Sequence, residues 1–483
     1  AATGGVSRIY LHGQVPDTMN DAVESTSTRK QSGKRSPAVT SAKNTCMKKE
    51  NTPSALTLHN VFGASCVSSN SMAVSDGVVA YASDKAVIVC GVGGGTDSMG
   101  KQSPSILLGH TDFVTSVSFS CDSSTLVTGQ HGSKPLVLVW RRETSDTSNQ
   151  SQANSHETIS FVLVSRVALD FDTLTFLDVA SDGASVAVLG NKSYGQTDTT
   201  QKAGSIVELW DLSQVANGSA YAYVKRVTRW VSNKVLTEVK FCPFQETSGI
   251  ETKTLFACGD GTIDELLVNE NGFIVEKTVV LDSLDLEALV PDAESTGDAY
   301  HFTALAFHEE ESTEIDESST REKIKTNRFL FAGTKHGAVL KCEILADEGT
   351  DQGNLTSCCV PQCAFQLHET SINSLHFGTV GVEGTVDEDT GERSVIKKHF
   401  ATSASDGGSV RVWPSDFCTA HVVEATHDVN VRVVQACFSD TGKQSSLQVI
   451  TATSDGSIGS LDVFKQTYSF VTKSVSHSTI NAA

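Results

Sequence analysis

No stretch of the 483-residue sequence approaches the roughly 18 consecutive apolar residues that a membrane-spanning helix needs. No helical span and no membrane partner are therefore expected. The first residues also lack the order of a secretory signal, a basic stretch followed by an apolar run and a small-residue cleavage site. The 12 cysteines lack the spacing of a disulfide framework. Cys90, Cys258, Cys342 and Cys437 fall inside apolar alternating runs, where free cysteine behaves as a small apolar residue, so a reducing, cytoplasmic compartment is expected. No nucleophile, base and oxyanion donors recur as a plausible constellation, and we expect no catalytic activity. Tryptophan is scarce, at 4 residues, which makes its placement informative.

Two motifs with the outline of chemistry also lack a necessary part. Gly95 to Lys101 nearly spells a phosphate-binding loop, but Gln102 stands where a Ser or Thr hydroxyl would hold magnesium, and Pro104 precedes a strand where a helix should begin. Cys358, Cys359 and Cys363 with nearby His368 are short of the second regularly spaced ligand pair of a zinc site. Neither cofactor nor metal is expected.

What the sequence does contain is one pattern repeated with variations. Each copy has an apolar alternating run, a polar break, a second run ending in small residues, a Gly or Asp turn, and a third run ending at a bulky residue. The third runs are Ala86 to Cys90, Leu136 to Trp140, Ser205 to Trp210, Thr262 to Leu266, Ala338 to Cys342, Ser409 to Trp413 and Ser457 to Leu461. Trp140, Trp210 and Trp413 occupy the same place in the repeat. An antiparallel sheet written this way cannot bury both faces alone, so the copies must stack around an axis, and a closed ring leaves only short strand edges. The expectation is an all-β, seven-bladed β-propeller over residues 55–477, with residues 478–483 a tail or the start of a further blade.

The propeller's roughly 60 residues per blade exceed the usual 40 to 45, so several connections are long. The segments Glu143 to Glu157, Asn191 to Gly204, Asp282 to Tyr300, Glu309 to Asn327 and Val380 to Lys398 are polar and poor in large apolar residues, and read as mobile surface loops. Charge is uneven. The first 50 residues carry 8 basic and 4 acidic side chains, leaving 29 basic against 53 acidic in the rest. An acidic ring disfavours broad phosphate contact, so no nucleic-acid partner is expected. Residues 1–54 read as a basic, low-complexity and mostly disordered leader. Its Arg29, Lys30, Lys34, Arg35, Lys43, Lys48 and Lys49, with no acid among them, are either a solvated linker or an electrostatic tether to an acidic polymer.

The repeat resembles the WD40 family, in which a His before the first strand, a Ser or Thr on the second, an Asp in the turn and the Trp on the third form a buried hydrogen-bonded tetrad. The resemblance implies such roles for His110, Thr128 and Trp140 in the second blade and for His368, Ser403, Asp406 and Trp413 in the sixth, with Trp210, Asp260 and Asp455 at the corresponding places elsewhere. These roles are structural, because buried polar groups need partners. The opening of the ring is also similar to that of the echinoderm microtubule-associated-protein-like family and related ciliary and centriolar tandem propellers. The matching residues are Val61-Phe62-Gly63, Cys66, Asn70, Val79-Ala80-Tyr81, Leu108 to Asp112 and Thr128-Gly129-Gln130. Ser7 to Pro16 loosely resembles that family's hydrophobic motif. This second resemblance implies a non-catalytic scaffold binding tubulin, microtubules or axonemal proteins in the cytoskeleton of a cilium, flagellum or centriole, with a second propeller following. The alternative is a general WD40 adaptor of a signalling, ubiquitin-ligase or RNA-processing complex.

Overall fold

The computed structural model describes residues 64, 68–91, 104–132, 134–143, 159–192, 204–216, 223–244, 253–269, 271–272, 274–279, 281, 301–315, 322–345, 358–386, 393–427, 431–439 and 447–472. They form seven four-stranded antiparallel sheets, each built from consecutive strands. Blade 1 is Met72–Ser75, Val78–Ser83, Ala86–Gly91 and Ser105–Leu108 (β1 to β4), and blade 2 is Val114–Phe119, Thr125–Gln130, Leu136–Arg142 and Phe161–Ala168 (β5 to β8). Blade 3 is Thr173–Val179, Ser185–Lys192, Gly204–Asp211 and Lys225–Ser232 (β9 to β12), and blade 4 is Leu236–Phe241, Lys253–Gly259, Ile263–Val268 and Ile274–Thr278 (β13 to β16). Blade 5 is Phe302–Ile315, Glu322–Thr334, Ala338–Leu345 and Cys358–Gln366 (β17 to β20). Blades 6 and 7 are Ile372–Val386, Arg393–Ser405, Ser409–Pro414 and Val423–Thr426 (β21 to β24), then Val433–Ser439, Gln448–Thr453, Ile458–Asp462 and Thr467–Thr472 (β25 to β28).

The first strand of every blade touches the first strand of the next, and β25 touches β1. The chain is therefore a closed seven-bladed β-propeller. All seven third runs read from the sequence are third strands, at β3, β7, β11, β15, β19, β23 and β27. The leader 1–54 with its basic residues, the Gly95 to Lys101 motif and the tail 478–483 lie outside the described residues.

The core lies between the blades. Val127, Val137 and Val139 of blade 2 pack on Leu177, Val186 and Ile206 of blade 3. Ala304, Phe331 and Val339 of blade 5 pack on Ile372, Leu375 and Trp413 of blade 6. Alternation along each strand supplies an apolar side chain to both sheet faces, so every blade is buried on two sides by its neighbours.

In two of the segments read as loops the described residues are strands instead. β17 and β18 stay paired out to Ile315↔Glu322, and β21 and β22 out to Val386↔Arg393. Polar composition concealed a ladder whose register sets Glu309 opposite Arg328. Opposite charges facing each other across a ladder stabilise it. The Arg328 Nε donates to Glu309 Oε1 at 3.2 Å. Blades 5 and 6 thus carry long hairpins side by side, joined at the base by His308 stacked on Phe377 at 4.7 Å.

Among the described residues no strand is exchanged between the last and first blades. The ring closes through the Met72 amide, which donates to Gln435 Oε1 at 3.0 Å, and the Ala64 amide, which donates to the Gly456 carbonyl at 2.9 Å. Gly456 has a φ of +84°, and a Cβ there would stand 2.6 Å from the Ala64 carbonyl, so no other residue fits this clasp without displacement. Replacing Gln435 by Ala leaves the buried Met72 amide without an acceptor and is expected to cost about 1–3 kcal/mol. Urea unfolding of the variant checks this, and an unchanged midpoint would show that the Met72–Gln435 bond contributes nothing to closing the ring.

Candidate functional site

In blade 2, Trp140 stands opposite Leu126 on the second strand, with Thr128 two residues further along. The Trp140 indole N–H donates to Thr128 Oγ1 at 2.9 Å, and the same hydroxyl meets His110 Nε2 at 2.7 Å. His110 Nδ1 lies 3.1 Å from Gln130 Oε1. Because that oxygen can only accept, the ring carries its proton on Nδ1 and Nε2 accepts from the threonine hydroxyl. Gln130 therefore occupies the place of the absent turn Asp, and the Thr111 amide also donates to it at 2.9 Å.

Blade 6 repeats the arrangement with different acceptors. Trp413 Nε1 donates to Ser403 Oγ at 3.0 Å, and Ser403 Oγ is 2.6 Å from His368 Nε2. His368 Nδ1 meets Ser409 Oγ at 3.1 Å, which in turn is 3.1 Å from Ser405 Oγ. Burial pulls both His110 and His368 down to about 4, so both rings are neutral near pH 7. With both nitrogens held by serines, His368 is also taken away from the cysteines at 358–363. In the sequence Gln130 stood out only as part of the Thr128-Gly129-Gln130 match and Ser409 only as the start of a third run; neither was assigned to the network. Asp406, expected in this network, instead accepts from Asn373 Nδ2 at 2.9 Å and lies 3.7 Å from Arg432 on the exposed side of the turn. The second glycine of Asp406-Gly407-Gly408-Ser409 moves the carboxylate off the histidine and brings the serine to it.

The other expected positions do not join such networks. Trp210 stands opposite Val186, which puts Val188 where the hydroxyl would be. Its indole donates instead to Glu208 Oε2 at 3.2 Å. The buried Glu208 is paired with Arg226 at 2.9 Å and Arg229 at 3.7 Å, and Arg229 and Lys192 both reach Asp170. An ionic network thus replaces the neutral one in blade 3. Asp260 pairs with His301 Nδ1 at 2.8 Å and is half exposed. Asp455 folds back on its own turn, accepting from Thr453 Oγ1 at 2.6 Å and Ser457 Oγ at 3.0 Å.

Blade 7 has Leu461 at the Trp position, yet it recovers the contact from the next strand. Tyr468 on β28 places its hydroxyl 2.8 Å from Thr451 Oγ1, and His427 lies edge-on to its ring at 5.1 Å. The tyrosine crosses β27 over Gly459, where a Cβ would come within 1.9 Å of the phenol oxygen. The signal in the sequence was a glycine inside a strand, which often marks such a close crossing.

Near the axis, side chains of one inner strand accept from backbone amides of the next. Ser118 takes the Val179 amide at 3.2 Å, Asp178 that of Phe241 at 2.9 Å, Glu238 that of Leu305 at 2.8 Å and Ser374 that of Ala436 at 2.9 Å. The Asn70 backbone carbonyl accepts from the Val117 amide of blade 2 at 2.7 Å, and its side-chain Nδ2 donates to the Leu177 carbonyl of blade 3. Lys240 lies 2.9 Å from Glu238 and donates to the Leu305 carbonyl. Burial, with Glu238 nearby, pushes Asp178 up to about 6 and also raises Glu238. Burial opposes the charge of Lys240, but Glu238 and Asp178 outweigh it and hold the ammonium above its ordinary range. His376, pulled down to about 4 by burial and by Lys240, accepts the Phe438 amide on Nδ1 at 3.3 Å. These groups join one blade to the next.

No protein-family profile matches the sequence, and no curated protein does. Among solved structures, Sqt1 of Saccharomyces cerevisiae is similar at 12% identity over 84% of this chain and 86% of that one, with a TM-score of 0.45. Chaetomium thermophilum Sqt1 bound to the N-terminus of the ribosomal protein L10 is similar at 12% identity over 82% of this chain and 86% of that one, with a TM-score of 0.44. At these values the likeness bears on neither partner nor activity. The propeller is established by the seven sheets themselves.

Two variants test the energetics of the blades. Trp413→Ala empties a buried aromatic site and removes the donor to Ser403, for an expected loss of about 3–5 kcal/mol. Guanidinium denaturation reads it, and a loss below about 1 kcal/mol would place Trp413 outside the core. Glu265 on β15 is 1% exposed, and neither carboxylate oxygen has a protein partner. Burial pushes it up to about 7 against the pull of Lys277. A carboxyl whose folded pKa is raised costs stability progressively as pH climbs from its unfolded value to its folded one, here from about 4.5 to about 7. Glu265→Gln is therefore expected to stabilise the ring by about 1–3 kcal/mol at pH 8 and to have little effect at pH 4. Equal effects at the two pH values would refute the raised pKa.

Proposed function

We propose that the chain is a non-catalytic protein-interaction scaffold, a WD40-type adaptor whose ring presents loops and blade edges to other proteins. The observation that supports this reading is where the reactive side chains go. His110, Thr128, His368 and Ser403 are buried and bonded to one another, whereas Tyr223, Val227, Val231, Val235 and Val275 stay exposed around blades 3 and 4. A ring of this kind spends its polar chemistry inside the blades and offers apolar and charged surface outside, which suits recognition better than turnover.

Microtubule binding is the narrower reading. It rests on the resemblance over residues 56–130 and on the seven basic residues between Arg29 and Lys49, and nothing in the comparisons adds to it. Cross-linking mass spectrometry on the full chain in cell extract is expected to give reproducible protein cross-links on exposed ring residues, competed by excess unlabelled chain. Uncompeted cross-links would overturn the scaffold reading, as would a turnover activity lost in a folded His368→Ala variant. Co-sedimentation with polymerised tubulin decides the narrower reading. If it holds, neutralising Arg29, Lys30, Lys34, Arg35, Lys43, Lys48 and Lys49 weakens pelleting at low salt more than at high salt, because screening acts over about 8–10 Å. Absence of pelleting at every salt concentration would discard it.

A further inference from the structure

The geometry points to the outer edge of blade 3, β12, as a docking strand for an extended acidic peptide, which adds to the sheet as a fifth strand. Among the described residues β12 is the last strand of its sheet and pairs with β11 alone. Outer strands with one free edge are ordinarily blunted, and several here are. β4 and β24 are four residues long, β16 is five, and β20 contains Pro361. β8 matches β12 in length but leaves only Arg166 and Ala168 exposed.

β28 also exposes an apolar side chain, Phe470, but carries no charge, so β12 differs in combining apolar and basic exposure. Its sequence Lys225-Arg226-Val227-Thr228-Arg229-Trp230-Val231-Ser232 has neither proline, glycine nor acid. Val231 is 50% exposed and Val227 37%, and Val275 on the neighbouring outer strand β16 is 59% exposed. The two rims lie together, since Trp230 Nε1 donates to Glu276 Oε2 at 3.1 Å and the Val227 carbonyl stands against Gly272. A bulge at Val227 breaks the register with β11, which leaves Thr228 to Val231 as the regularly paired part of the strand.

Charge selects the occupant. β12 itself carries Lys225, Arg226 and Arg229 and no acid, so a strand added to its edge meets cations first, in a chain of net charge −20, while Glu208 and Asp211 lie on β11, Glu276 on β16 and Asp170 before β9. A second copy pairing edge to edge would set the basic strand against itself, which is unfavourable across a ladder. An acidic segment with alternating apolar residues meets both the cations and the valines, while its backbone takes the open edge, as in β-strand addition generally. This inference rests on the scaffold reading and names one surface for it.

The test uses the full chain and a fluorescent ten-residue peptide of alternating Glu and Val, with two controls: the Lys-Val counterpart and a Glu-Val peptide N-methylated at alternate residues. Saturable anisotropy binding of the Glu-Val peptide alone is expected, weakening as salt rises. The double variant Lys225→Glu/Val231→Glu, both positions exposed, is expected to lose affinity by at least about tenfold, with an unchanged melting temperature. Val422→Glu, on the exposed rim of blade 6, should bind as wild type. Equal binding of the N-methylated peptide, equal binding by the double variant, or no saturable binding up to about 1 mM would each overturn the proposal. So would a dimer in sedimentation that Val231→Glu dissolves, because the edge would then belong to a second copy. A chain that passes the cross-linking test but ignores the peptide keeps its scaffold reading and loses only this surface.

Discussion

Everything in this ring depends on the burial of both faces of every sheet. A four-stranded blade with apolar residues on alternate sides has no stable existence alone, and each apolar cluster described here is shared by two neighbouring blades. Stability is accordingly a matter of nearest-neighbour interfaces around a circle rather than of one central core. The polar chemistry is subordinate to that packing. It fixes how a blade's strands sit on one another, as in the bonds of His110, Thr128 and Trp140, and how inner strands register, as in the amides received by Asp178 and Glu238.

The blades meet the same geometric requirement with different residues. A buried indole or phenol must find a partner, and a neutral histidine must have an acceptor behind it. Blade 2 uses a glutamine for that acceptor, blade 6 a serine pair, and blade 7 brings a tyrosine from the adjacent strand across a glycine. Blade 3 abandons the neutral network for an ionic one around Glu208. Breaking one partner of such a buried ion pair is costlier than the pair is stabilising, so loss of Arg226 or Arg229 from Glu208 weighs more on blade 3 than a change at the exposed positions beside them.

The third strands were readable from the sequence because each ends at a bulky residue after a Gly or Asp turn, a signal confined to a few consecutive residues. The hydroxyl and indole positions of blades 2 and 6 were readable for the same reason. The acceptors behind the histidines were not, since Gln130 and Ser409 are residue types that occur anywhere on a surface, and only the register of three strands brings them to the ring nitrogens. Trp210 misled because its place in the repeat says nothing about Val188 on the facing strand. The hairpins of blades 5 and 6 were hidden by composition. Glutamates and lysines on one line of sequence read as a loop until their cross-strand partners are known. Charge at the rim of blade 3 was invisible because its basic residues are diluted in an acidic whole.

The chain crosses from blade to blade at every junction but that between blade 7 and blade 1, where the described residues share no strand. That seam has a mechanical meaning. Tension applied between β1 and β28 bears directly on side-chain packing and on the bonds from Met72 to Gln435 and from Ala64 to Gly456. Elsewhere around the circumference the same load is shared with covalent backbone. A ring built this way opens first at one defined place when pulled from its ends, and the remaining blades can stay stacked as an open arc. If such a protein is anchored at both ends in a larger assembly, its seam is the element that yields to force.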